Sequence, residues 1–216
     1  MRVAAALCLI WLLALPASGG PWLRDPRLSF VSLQTTPRHT GQVEYGLFAE
    51  RGVTPWLTLG VDVNDNGTSG HALAFARFPI LRGDWVAAVD LAAGGHRYQS
   101  DSGAMGRALF GLGRSVTVAG APGWAALSVG PEWRQGNGGL AWKADGVLGL
   151  KAARRVNPIL SVESYLAPNS DFYWSVIPGA TIRGRKPGRT WLVGLEQKGG
   201  PGDMTTGLRL GYWIDF

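Results

Sequence analysis

Thiols are all but missing from this chain. The only cysteine, Cys8, lies inside the first apolar run, so the rest of the sequence has no disulfide framework and no cysteine-based metal site. Long apolar runs are missing too. Beyond the first fifteen residues no stretch approaches the roughly 20 apolar residues that a transmembrane helix needs. Charge is sparse at 17% of residues, and Glu and Lys give way to Gly, Val, Trp and Thr, a balance that favours strands over helices. What is abundant is glycine, 32 residues, and tryptophan, 10 residues.

The N-terminus reads as an export signal. Arg2 supplies the charged start, Val3 to Leu15 the apolar core, and Pro16 with Ala17, Ser18 and Gly19 a small-residue cleavage site near Gly19. That core is too short for a retained membrane anchor. A lipoprotein would carry its cysteine just after the core, whereas Cys8 lies within it. The expected division is therefore a signal peptide at 1–19, a periplasmic entry segment at 20–26, and one domain at 27–216.

The last strand carries the strongest pattern. Leu208, Leu210, Tyr212, Ile214 and Phe216 occupy every second position, which puts all five on one face of a strand. Such an apolar strand invites aggregation unless lipid or another strand covers it. With the export segment, it resembles the terminal strand of the small bacterial outer-membrane β-barrel superfamily, whose C-terminal Phe is read by the barrel-assembly machinery. The resemblance implies an all-β fold, a single up-and-down antiparallel transmembrane barrel in the outer membrane of a Gram-negative bacterium. Outer-membrane lipids and the assembly machinery are the implied partners. A mean hydropathy of +0.05 fits, because a barrel strand shows lipid only half its residues.

Alternating segments about ten residues long recur at about 27–36, 41–52, 55–64, 70–79, 85–94, 104–114, 123–134, 140–150, 155–166, 172–183, 189–198 and 205–216. Turn chemistry separates them, as in Asn64-Asp65-Asn66-Gly67, Gly136-Asn137-Gly138-Gly139 and Gly199-Gly200-Pro201-Gly202. That makes twelve strands, with ten and fourteen as the other even counts left open by weak phasing in the first, fourth and ninth segments. The loops opposite the termini are short; 94–104 is expected to be the longest, leaving no loop to plug the interior.

The charges fall opposite the apolar phase. Val43, Tyr45 and Leu47 alternate with Glu44, and Glu50 keeps its phase. Leu57 to Val63 alternate with Asp62, and Trp85, Ala87, Val89 and Leu91 with Asp90. The same rule sends Arg107, Glu132, Lys143, Asp145, Glu163, Glu196, Arg209 and Asp215 inward with Glu44, Asp62 and Asp90. A soluble periplasmic β-sandwich would reverse the two faces, and alternation alone does not separate them. Eight of these lumen-lining residues are acids against three bases, so a wet lumen is expected to hold a negative field and favour cations.

Tryptophans recur where segments begin. Trp85 and Trp191 open segments on the terminal side, while Trp142 and Trp174 open segments on the far side, as aromatics at two membrane interfaces do. Trp56, Trp124 and Trp213 fall on the lumen phase instead. The turns on the terminal side are rich in arginine and lysine, from Arg51 and Arg82 to Arg185, Lys186 and Arg189, which suits anionic head groups or solvated turns.

No catalytic motif stands out. Ser69 lies near His71, and Asp101 and Ser102 follow His96, but no spacing fixes a nucleophile, base and acid together, and no outer-membrane lipase, deacylase or acyltransferase motif occurs. Asn64-Asp65-Asn66-Gly67 lacks a calcium loop's twelfth-position acid, where Phe75 stands. No metal or cofactor is expected. The pI of about 9.9 does not indicate nucleic acid in an exported chain. The expectation is a non-enzymatic structural barrel or narrow passive channel with a polar interior, passing small solutes or ions. The alternatives are a lipid-modifying barrel enzyme and the soluble sandwich.

Overall fold

The computed structural model describes residues 20–151 and 154–216. The expected signal peptide, with Cys8, lies outside the described residues. Twelve strands follow in chain order: β1 (Ser29–Pro37), β2 (Val43–Thr54), β3 (Leu57–Asp65), β4 (Ser69–Leu81), β5 (Trp85–Tyr98), β6 (Asp101–Val118), β7 (Ala121–Arg134), β8 (Leu140–Leu150), β9 (Val156–Leu166), β10 (Phe172–Arg183), β11 (Arg189–Gly200) and β12 (Asp203–Asp215). Each pairs antiparallel with its sequence neighbours, and β1 pairs with β12, so the sheet closes into a barrel. Closure leaves no exposed sheet edge, and it settles the strand count at twelve.

Pairing fixes the faces. Phe30, Ser32 and Gln34 of β1 stand opposite Asp215, Trp213 and Gly211 of β12, and opposite Glu50, Phe48 and Gly46 of β2. The charged phase of each strand therefore meets the charged phase of the next all the way round. That phase is buried: Glu196 is 1% exposed, Glu132 2% and Arg77 5%, whereas outward Leu91, Leu127 and Leu195 are 51–61% exposed. A sandwich would bury the leucines and expose the acids, so the soluble alternative is overturned.

Turn chemistry acts locally as expected. The Asp65 carboxylate accepts from the Gly67 amide at 2.7 Å, and Asn66 Oδ1 accepts from the Thr68 and Ser69 amides at 3.0 and 2.8 Å. Gly67 sits at φ +84°, a left-handed value that glycine adopts without strain. One expected loop is absent. β5 and β6 continue pairing through His96↔Gly103 to Tyr98↔Asp101, so 94–104 is mostly ladder and only Gln99 and Ser100 turn. Polar strand ends on that hairpin hid the pairing from the alternation pattern.

Two register irregularities lie toward the terminal end, at Gly52/Thr54 and Pro79/Leu81. Near the second, Ala87, paired with Leu81 at the register shift and with Leu112, is 3% exposed rather than open to lipid. Trp56 lies in the turn between β2 and β3, 57% exposed, so it does not fill the lumen. Trp124 and Trp213 do line it.

Candidate functional site: a charge-lined lumen

Twelve strands enclose more space than the eight that side chains can just fill. Among the described residues, two cavities lie along the axis of the interior. An inner one of about 490 Å³ lies toward the terminal end, and an outer one of about 940 Å³ opens at the far end. They meet at Glu44, Asn64, Ser69, Arg134, Lys143 and Glu163, which line both.

Ion pairs organise the walls in clusters. In the first, Arg38 reaches Glu44 at 2.5 Å and Glu196 at 2.7 Å, and Arg209 reaches Glu196 at 2.7 Å and Glu163 at 2.5 Å. Asn64 and Ser175 donate to Glu44 and Glu196, and Lys198 lies 3.7 Å from Glu44. Gly207 makes room for this cluster, since a Cβ there would stand 3.1 Å from Arg38 Cγ. At mid-barrel, Arg107 holds Asp62 at 2.6 Å, with His71 3.5 Å from the same carboxylate, and Lys143 holds Asp145 at 2.9 Å. Arg134 holds Glu132 at 2.8 Å.

Toward the terminal end, Arg77 binds Asp90 through two nitrogens, at 2.7 and 2.9 Å, and Glu50 at 2.8 Å. Arg24 binds Glu50 at 2.6 Å and Asp215 at 3.0 Å. Charges this buried persist because each carries a partner in good geometry.

The structure thus places Glu44, Asp62, Asp90, Arg107, Lys143, Asp145, Glu163 and Arg209 along the inner cavity, with Glu132, Glu196 and Asp215 buried or half-buried among their ion-pair partners. The acids expected to give a negative field do not stand alone. Every one of these carboxylates, and Glu50, has a base within 3.0 Å. The sequence reading missed Arg24, Arg38, Arg77, Arg134 and Lys198. Arg38 follows β1, and Arg134 ends β7, on the inward phase, so extending strand parity to the rim would have found both. Arg77 was hidden because its strand turns Leu73 and Phe75 inward and small Ala72, Ala74 and Ala76 outward, which inverts the usual apolar signal. Arg24 lay in a segment with no strand phase at all.

Of the remaining candidates, the terminal-strand residues and Trp85, Trp142 and Trp191 lie off the cavities, whereas Trp174 and His96 line the outer cavity and His71 the inner one. Leu208, Leu210 and Phe216 of the terminal strand are 39–65% exposed, Tyr212 and Ile214 are half-buried, and the Tyr212 and Trp191 rings lie 4.4 Å apart. Trp85 and Trp191 stand exposed toward the terminal end and Trp142 toward the far end; Trp174, half-buried, covers Gly199, where a Cβ would meet its ring at 2.6 Å. The histidines do not converge: His39 bonds the Thr206 main chain, His96 bonds the Gln135 carbonyl, and His71 faces Asp62.

No protein-family model matches the chain, and no curated protein matches it. Among solved structures it is similar to the KdgM porin, with a TM-score of 0.61 over 87% of this chain and 99% of that chain, at 12% identity. The KdgM porin in complex with disordered oligogalacturonate aligns with the same TM-score, coverage and identity. The NanC porin gives a TM-score of 0.61 at 10% identity, over 85% of this chain and 98% of that chain. At such identities the likeness is one of fold, the closed antiparallel barrel shared with the KdgM and NanC porins.

Proposed function

We propose that this barrel is a narrow passive channel of the outer membrane for small polar solutes and ions. The carrying observation is the pair of cavities that meet end to end inside a barrel whose inner face is charged and whose outer face is apolar. Lipid covers the outer face on this reading. Trp85 and Trp191 mark the periplasmic interface and Trp142 and Trp174 the outer one. The apolar face of β12 through Phe216 presents the signal read by the assembly machinery. Because lumen charges are paired rather than of one sign, the channel discriminates weakly between anions and cations.

Reconstitution in a planar bilayer tests this. Small, discrete conductance steps are expected from protein whose gel mobility is heat-modifiable. Folded protein that stays silent in every variant described below would make the barrel a structural one.

A further inference from the structure

The terminal end of the lumen is filled by the chain itself. Pro21 is buried, and Gly20 and Pro21 line the inner cavity from below. The segment spans the bore. On one side the Arg24 amide donates to Thr58 Oγ1 at 3.0 Å, its guanidinium bonds Glu50 and Asp215, and the Trp22 carbonyl accepts from Arg77 at 3.2 Å. On the other side Pro21 and Trp22 rest on β6 where its inward residues are Gly111 and Gly113. A Cβ at Gly111 would stand 3.1 Å from Pro21 Cβ, and one at Gly113 would stand 2.6 Å from the Trp22 ring. At these two positions the wall is cut back to receive the segment, and any larger side chain at Gly113 would collide with it.

What holds the segment is a small set of contacts. Among the described residues, two main-chain hydrogen bonds and one arginine, shared between two carboxylates and seated 4.6 Å over the Phe30 ring, anchor it, against the long ladders that hold every strand. Segments with few ordered bonds open locally at much lower free energy than the ladders around them. Arg24 is the natural latch, because its guanidinium makes the segment's ion pairs, to Glu50 and Asp215.

We propose that residues 20–24 form a plug that closes the periplasmic end of the lumen, and that its withdrawal opens the channel. This rests on the channel reading above. In the closed state the lumen is a receptacle open only at the outer end, with Pro21 as part of its floor.

The near approach of Pro21 Cβ and Gly111 provides the test: at 3.1 Å it is a few tenths of an ångström inside the roughly 3.5–4.5 Å that disulfides span, so a small outward shift of the segment brings the pair into range. Full-length protein carrying Pro21→Cys and Gly111→Cys, with Cys8→Ser, is reconstituted in a planar bilayer, oxidised and then reduced. A loosened variant, Trp22→Gly with Arg24→Ser, is recorded alongside. The oxidised form should conduct several-fold less than its reduced form, and the loosened variant several-fold more than wild type. If mass spectrometry shows the disulfide formed and the two redox forms conduct alike, the plug is refuted while the channel stands. Failure of the two cysteines to cross-link under oxidant also refutes it, by removing the segment from the lumen. Silence of the reduced and the loosened forms alike refutes the channel reading and the plug with it.

Discussion

At the scale of single residues, depth and phase decide what a side chain costs. Val193 is 38% exposed on the outer face, while its neighbour Leu192 lines the inner cavity. An arginine facing lipid at mid-depth costs about 2–4 kcal/mol, whereas one facing a wet lumen keeps its hydration. Val193→Arg should therefore destabilise the barrel by about that amount and Leu192→Arg by clearly less, as measured by reversible unfolding in lipid vesicles. Glu50 poses the opposite problem, because its 2%-exposed side chain serves both Arg24 and Arg77. Glu50→Gln leaves two buried guanidinium groups short of a counter-charge, and breaking such a pair from one side costs about 3–5 kcal/mol. The same unfolding assay should place it below wild type by that margin.

At the scale of elements, β12 is the seam. It pairs with β11 along Asp203 to Ile214 and with β1 from Leu210 to Asp215, and the Phe216 and Ser29 main chains exchange hydrogen bonds at 2.7 and 3.0 Å. The strand that would carry the assembly signal is thus also the strand that closes the barrel. Phe216→Asp keeps the backbone ladder but replaces an exposed aromatic with a charge. It should lower the yield of heat-modifiable protein in the outer membrane, read on unheated and heated gels, and an unchanged yield would remove Phe216 from any role in assembly. The strands themselves were legible because alternation and Gly/Asn/Asp turns are local signals. The hairpin from β5 to β6 was under-read because its tip is polar on both faces, so nothing in the local pattern marked where pairing stopped.

At the scale of the whole molecule, the balance of charge across the bore sets selectivity. With its carboxylates paired, the pore should reverse close to zero potential in a salt gradient. Glu163, which lines both cavities and binds Arg209, is the most exposed of the ion-paired acids that line the inner cavity. Glu163→Gln should shift the reversal potential toward anion preference, and a shift toward cations would mean that the pairing does not hold in the open pore.

The alternating segments and the shared phase of Glu44, Asp62, Asp90, Lys143, Glu163 and Arg209 follow from the sequence alone, whereas closure of the sheet fixed the count at twelve and turned that phase inward. Period-two alternation is a property of neighbours along one strand and needs no knowledge of the others. What tertiary structure decided is which charges meet and what occupies the bore. Arg38 meets Glu196 and Arg209 meets Glu163 across separations of 158 and 46 residues, and Arg24 meets Asp215 across 191. Those distances collapse only when the sheet closes on itself. The same closure brings Gly111 and Gly113 to face Pro21 and Trp22, a fit that no local pattern along either segment encodes.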